Sequence, residues 1–312
     1  MSFGTILVPL DGSELSDRIL EQARRILVTQ DARVVLLRVI PPRGEKEPER
    51  AHQERRDAAN AHLDRLRRGL KARGCEVSAT LHEGEDPAQA IVEVAERERV
   101  GLVAMTTHGR TGPARWVRGS VAERVLRGCE RPLFLVNPKA MADAPSSPGE
   151  LRFERLLVPL DGSRRSASVL PMVISLARAF GAPVTLFRVG WIAPAAMDYP
   201  IADPLLAVTP EELKGALEEA RLELAEAGVE VDVAVSYGGV AHEILAEAER
   251  VPGTLLVLAS HGRTGSDRWL FGSTAENVLR TCSTPVLVQR VAALRRQLEP
   301  AAGNGASAGV AL

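Results

Sequence analysis

Two segments carry the residue types that hold phosphate. Pro9-Leu10-Asp11-Gly12-Ser13 follows one apolar run. Thr106-Thr107-His108-Gly109-Arg110-Thr111-Gly112 follows another, and Gly119-Ser120 comes seven residues later. Glycines near a helix start let backbone N–H groups approach an anion, and the helix N-terminus adds positive potential. Ser120 can donate a hydroxyl hydrogen bond to the same phosphate. Asp11 can accept from ribose hydroxyls, as acidic residues do in dinucleotide folds. That is the chemistry of a nucleotide or another phosphate-bearing ligand. The same residues also suit a structural turn, with Gly109 and Gly112 supplying positive φ and Asp11 capping a helix. On these segments alone both readings stay open.

Other chemistries find less support. No GxGxxG follows the first strand-like run, and no GxxxxGK[ST] is present, so dinucleotide-type and P-loop sites are unsupported. His108 and His261 could titrate near neutral pH, but no acid or nucleophile accompanies them at a telling spacing. Ser13 and Ser163 lack a GxSxG setting and read as helix caps. Arg110, Arg115, Arg263 and Arg268 suit either phosphate or solvent. Trp116 and Trp269 read as packing residues, and Cys129 and Cys282 as buried, inert thiols. No cysteine–histidine cluster has metal-ligand spacing. No catalytic residue is assigned.

The elements that position these loops emerge from an internal repeat. Ile6–Ser13 (ILVPLDGS) recurs as Leu156–Ser163 (LLVPLDGS), 150 residues on. His108-Gly109-Arg110-Thr111-Gly112 recurs as His261-Gly262-Arg263-Thr264-Gly265, 153 residues on. Across 108–136 and 261–289, 16 of 29 positions are identical, Cys129 and Cys282 included. The chain is therefore read as a tandem duplication: one domain over 1–138, a Pro/Ala/Ser-rich linker over 139–152, a second domain over 153–291, and a Gly/Ala-rich extension over 292–312 expected to be partly disordered.

Each copy alternates apolar runs with helical periodicity. The first predicts strands at 5–10, 33–40, 76–81, 102–106 and 132–136. Helices are predicted at 14–28, 47–72, 87–97 and 114–127, with Ala59, Leu63, Leu66 and Leu70 as the buried stripe of the second. The second copy predicts strands at 154–160, 183–189, 229–235, 254–259 and 285–289, and helices at 164–179, 210–227, 240–250 and 267–280. Thr209-Pro210-Glu211-Glu212 reads as a capping box. This alternation predicts an α/β fold with parallel, doubly covered sheets, whose ligands bind beyond the carboxyl ends of the strands. The apolar stretch 190–208 reads equally as a lid and as a loop folded onto its own domain.

Composition excludes several classes. The 312 residues carry 39 Lys+Arg and 40 Asp+Glu, a net charge of −1, which leaves no electrostatic footprint for nucleic acid. No apolar run reaches the length of a membrane span, and no basic leader precedes the first strand, so membrane and secreted classes are disfavoured. Three cysteines form no disulfide framework, and a cytoplasmic location is expected.

The combination of LVPLDGS, THGRTG and a Gly-Ser pair separated by nine residues from the loop glycine resembles the universal stress protein family, over about 3–138 and 153–291. The family's ATP signature is Gly, two residues, Gly, nine residues, Gly, then Ser or Thr. Gly109 with Gly119-Ser120, and Gly262 with Gly272-Ser273, fit it. The first signature glycine is replaced by Thr106 in one copy and by Ala259 in the other. A side chain there can obstruct approach to phosphate, threonine more than alanine.

The resemblance implies a Rossmann-like five-stranded sheet in each copy, ordered 3-2-1-4-5, and pairing through the last strands as an internal pseudo-dimer. It implies ATP, which Mg2+ can accompany, held by Pro9, Leu10, Asp11, Val39, Thr106, Gly109, Gly119, Ser120 and Val121. The matching residues of the second copy are Pro159, Leu160, Asp161, Val189, Ala259, Gly262, Gly272, Ser273 and Thr274. The expectation is a stress-response protein whose adenine nucleotide biases its conformation or partners, with at most slow hydrolysis. The alternative is a nucleotide-free scaffold that acts through protein partners. A further homodimer is compatible with both.

Overall fold

The computed structural model of the chain describes residues 3–30, 32–107, 121–141, 152–190, 208–260 and 273–290. The first half runs β1 (Thr5–Leu10), α1 (Glu14–Asp17), α2 (Ile19–Gln30), β2 (Arg33–Ile40), α3 (Glu49–Lys71), β3 (Val77–Glu83), α4 (Pro87–Arg97), β4 (Leu102–Thr106), α5 (Val121–Gly128) and β5 (Leu133–Val136). A single 3-10 turn follows at Pro138–Met141. The second half runs β6 (Arg155–Pro159), α6 (Arg164–Ala167), α7 (Leu170–Phe180), β7 (Val184–Gly190), α8 (Pro210–Gly215), α9 (Glu218–Glu226), β8 (Val231–Tyr237), α10 (Val240–Glu249), β9 (Thr254–Ser260), α11 (Ser273–Thr281) and β10 (Val286–Arg290).

These ten strands lie in one sheet ordered β3-β2-β1-β4-β5-β10-β9-β6-β7-β8. Each half therefore has the order 3-2-1-4-5, with every pairing inside a half parallel. The pairing of β5 with β10 is antiparallel. The strands are apolar runs because helices cover both faces. One core collects Ile6, Val8, Val34 and Leu36 with Ile19, Ile26 and Leu63, and its counterparts in the second half. The other collects Leu7, Val35, Leu37 and Val103 with Ile91, Val94, Val125 and Leu126, and theirs.

Three predicted helices are each divided. The helix expected over 14–28 is α1 and α2, with the break at Arg18. Ser16 is the physical cause. Its hydroxyl donates to the Ser13 carbonyl (2.9 Å) and accepts from the Asp11 N–H (3.3 Å), tying the first turn to the preceding loop. Ser166 repeats both bonds in the second half, where α6 and α7 replace one helix over 164–179. The helix expected over 210–227 divides after Gly215, the residue with the weakest helix propensity beyond its first position. The capping box is present: Thr209 accepts from the Glu212 N–H at 3.2 Å, and the Glu212 carboxylate accepts from the Thr209 N–H at 2.7 Å. Within α3, Ala59, Leu63 and Leu70 are buried and Leu66 packs against the same core.

Candidate functional site

Strands β1 and β4 are adjacent although β2 and β3 intervene in sequence, so the strand order reverses between them. A crevice forms at the carboxyl ends of strands at such a switch point. Parallel pairing sets which residues share a level there. Leu10 is opposite Arg38 on β2. The register Leu7 to Val103, carried three residues on, sets Leu10 beside Thr106. Arg38, Leu10 and Thr106 thus form one row across the carboxyl edge. In the second half Pro159 is opposite Phe187 and Leu157 is opposite Leu256. The corresponding row is Arg188, Leu160 and Ala259. Strand alternation points each row to the same side of the sheet as Val8, Leu36 and Ala104, the side covered by α1 and α2. Val39 and Val189, one residue on, pack toward the opposite core.

The loops beyond β1 and β6 are built alike. Asp11 Oδ1 accepts from the Ser13 N–H at 2.9 Å and from the Ser13 hydroxyl at 2.6 Å. Asp161 Oδ1 accepts from the Ser163 N–H at 2.9 Å. Ser13 and Ser163 cap α1 and α6 through the N–H groups of Ser16 and Ser166, as the sequence predicts. Gly12 and Gly162 have φ of +77° and +79°, a conformation open to glycine. An arginine lies against each. A Cβ on Gly12 would stand 2.7 Å from Cζ of Arg38, and one on Gly162 would stand 3.0 Å from Cζ of Arg188. Both glycines therefore answer two demands, backbone handedness and room for a guanidinium.

The sequence-predicted residues are distributed as follows. Pro9, Leu10, Asp11, Val39 and Thr106 come together at one carboxyl edge, and Pro159, Leu160, Asp161, Val189 and Ala259 at the other. Thr106 is buried. Val121 opens α5 and is exposed, and Ser273 and Thr274 open α11. Gly109, Gly119, Ser120, Gly262 and Gly272 lie outside the described residues, as do His108, His261, Trp116, Trp269, the four loop arginines and 191–207. Arg38 and Arg188 were missed. Their signal was an Arg-Val pair closing the second strand of both copies, 150 residues apart.

The walls next to the two rows differ. Val39 is opposite His82, whereas Val189 is opposite Ser236, whose hydroxyl donates to Glu243 at 2.5 Å. Gly190 lies under Tyr237 and Leu213: a Cβ there would be 2.7 Å from the ring and 2.8 Å from Leu213 Cδ1. The Tyr237 hydroxyl donates to the Val208 carbonyl at 2.8 Å. In the first half a polar cluster occupies the matching end. His52 is buried, with Glu47 and Glu83 at 3.7 and 3.5 Å from its ring nitrogens.

Burial pushes the Cys129 and Cys282 thiols above the usual thiol range, which removes both as thiolate nucleophiles at neutral pH. Among the described residues no group of three or more His, Cys, Asp or Glu could hold a metal ion. No described helix is long and apolar enough to cross a membrane.

Comparison with known proteins agrees with this geometry. The profile of the universal stress protein family matches residues 2–137 and again 152–290. The chain belongs to the universal stress protein family. A universal stress protein of Methanocaldococcus jannaschii is 32% identical over 145 residues, covering 45% of this chain and 84% of that protein. Universal stress protein YxiE of Bacillus subtilis is 31% identical over 148 residues, covering 44% of this chain and 99% of its own. Each relative thus spans about one repeat. Among solved structures, a universal stress protein from Archaeoglobus fulgidus superposes with a TM-score of 0.73 at 21% identity, covering 93% of this chain and all of that one. That likeness extends the shared fold over both universal stress protein repeats.

Proposed function

We propose that this tandem universal stress protein is a regulator that binds adenine nucleotide, ATP foremost, at the carboxyl ends of β1 and β4 and of β6 and β9. The row of arginine, leucine and signature position beside a positive-φ Asp-Gly-Ser loop, present in both halves, carries this reading. In it, the backbone at Val39 or Val189 meets the base, Asp11 or Asp161 meets the ribose, and the Gly109–Ser120 and Gly262–Ser273 segments take the phosphates. The residues fit such a ligand. Nη1 of Arg188 is buried and has no hydrogen-bond partner among the described residues, so it is a donor ready for an acceptor oxygen. The second site has the smaller obstruction, because Ala259 stands where the first site has Thr106. In this reading binding is the function, with at most slow hydrolysis, and no residue is assigned a catalytic role. Nucleotide would act by favouring one conformation or partner complex over another. The two halves would pack as an internal pseudo-dimer through β5 and β10, and three free thiols suit the reducing cytoplasm.

Identification of nucleotide released from the purified protein, followed by calorimetric titration with ATP, tests the reading. Saturable binding with a preference for the second site supports it. No binding at millimolar ATP sinks it and favours a nucleotide-free scaffold.

A further inference from the structure

We propose that Arg188, and Arg38 in the first half, read the charge of the ligand: they supply the cationic contact that makes each site prefer a phosphorylated over an uncharged nucleoside. This inference deepens the nucleotide reading and rests on it.

Three observations lead there. First, position. Arg188 is in one row with Leu160 and Ala259, and Arg38 in one row with Leu10 and Thr106. Adjacent strands are about 4.8 Å apart, so each arginine Cα is about 10 Å from the first signature position of its phosphate loop. That gap is bridged by the length of an arginine side chain and a phosphate. Second, direction. The guanidinium lies over the β1–α1 or β6–α6 loop, against Gly12 or Gly162, with one nitrogen, Nη1, buried. An arginine serving only the surface would not require a glycine under it. Third, valence. Arg188 Nη1 is buried with no hydrogen-bond partner among the described residues. A buried, cationic N–H without an acceptor is costly, and a phosphate oxygen would satisfy it with a charge-assisted bond.

The chain's composition sharpens the role. Its four lysines are Lys46, Lys71, Lys139 and Lys214, and none lies in either Asp-Gly-Ser loop or in 106–121 or 259–274. The lysine that clamps phosphate in P-loop sites therefore has no counterpart here. A guanidinium packed against a glycine is a positioned cation, with less freedom to lose per hydrogen bond formed than a lysine.

The test compares ATP, adenosine and inorganic tripolyphosphate by calorimetry on the full chain, at low and high salt, for wild type, Arg188→Gln, Arg188→Lys and the Arg38→Gln/Arg188→Gln pair. The expected result is a ten- to hundredfold loss of ATP affinity in Arg188→Gln, adenosine affinity within twofold of wild type, a shallower salt dependence, and partial rescue by Arg188→Lys. Unchanged adenosine binding also shows that the variant is folded. Equal losses for ATP and adenosine would make the arginine a structural support and overturn the proposal, as would unchanged ATP affinity. Wild-type protein that binds tripolyphosphate in an arginine-dependent way, but neither nucleotide nor nucleoside, would refute the adenine-nucleotide reading while leaving the charge-reading arginine standing. Wild type that binds none of the three overturns both.

Discussion

Phe134 on β5 stands directly opposite Leu287 on β10, and the two are the same position of the two repeats, 153 residues apart. The neighbouring pairs, Leu133 with Val288 and Leu135 with Val286, are each other's counterparts at the same offset. So are two flanking hydrogen bonds. Asn137 Nδ2 donates to the Arg280 carbonyl at 3.0 Å, and Arg290 Nη1 donates to the Arg127 carbonyl at 2.8 Å. A two-fold relation between the halves therefore centres on Phe134 and Leu287. Both bonds also reach a carbonyl in the last turn of α5 or α11, where intrahelical donors run out.

This junction should hold the halves in one cooperative unit. Phe134 is fully buried. Phe134→Ala should cost about 3–5 kcal/mol and divide one denaturation transition into two. Asn137→Ala should cost about 1 kcal/mol and leave a single transition. Urea unfolding followed by tryptophan fluorescence and by circular dichroism measures both. A Phe134→Ala loss below 1 kcal/mol would mean that the halves fold independently of their shared edge.

Much of this architecture was legible before the fold was seen. ILVPLDGS and LLVPLDGS announced the duplication, and continuous apolar runs such as Leu102–Thr106 announced buried parallel strands. The breaks within the first helix of each repeat were not legible. They depend on Ser16 and Ser166 bonding backward to their own loops, and serine in a helical pattern does not announce which way its hydroxyl turns. Arg38 and Arg188 were missed for a similar reason. Their importance comes from parallel register and from the space above Gly12 and Gly162, and both are tertiary facts.

Two glycines should respond to alanine with opposite signs. Gly101 precedes β4, and its N–H donates to the Thr5 carbonyl at 2.8 Å. A Cβ there would fall against the backbone of Phe3, 2.8 Å from its Cα, and the backbone of a buried residue leading directly into β1 cannot step aside cheaply. Gly101→Ala should destabilise by roughly 1–3 kcal/mol. Gly69 is exposed within α3 and meets nothing within 4 Å, so Gly69→Ala should stabilise by about 0.5–1 kcal/mol. Melting temperatures of the two variants should move in opposite directions. A stabilising Gly101→Ala would contradict the close approach of β4 to the N-terminal segment.

Acid should weaken the fold in a defined window. Partial burial disfavours ionised Glu21, but hydrogen bonds and charge from Arg73 and Arg24 outweigh it and lower its pKa below 4.5. Glu47 is lowered chiefly by its bond to Arg55. Burial opposes ionisation of Asp86 too, yet bonds from the Gln89 N–H, Arg124 and the Ala88 N–H bring it below 3.8. A carboxylate with a depressed folded pKa stabilises the native state above its unfolded value, and the contribution fades as pH falls through the folded one. Stability should therefore be flat near neutrality and decline below about pH 4.5. Arg73→Met should lower the urea midpoint at pH 7, and its effect should shrink as pH falls through the depressed folded pKa of Glu21. An effect that grows toward low pH would reverse the assigned sign.

Arg155 and Glu247 form the most enclosed ion pair among the described residues, Nη1 to Oε1 at 2.6 Å with both side chains at 10% exposure or less. Arg155 Nη2 also donates to the Glu247 carbonyl at 2.6 Å, and Nε to Thr254 Oγ1 at 3.3 Å, which pins the start of β6 to α10. Arg250 reaches the same Glu247 oxygen at 3.3 Å from a far more exposed position. Desolvation offsets much of what such a pair gains, so the cost falls on whoever loses the partner. Arg155→Met should destabilise by about 3–5 kcal/mol because Glu247 is left with only the exposed Arg250. Glu247→Leu should cost a similar amount, since the buried guanidinium keeps its bonds to the residue-247 carbonyl and to Thr254 but loses its counter-charge. Both changes together should cost much less than the sum, because methionine and leucine fill the volume without a stranded charge. A double-mutant cycle in urea reads the difference directly. Strict additivity would show that the two side chains contribute through packing alone.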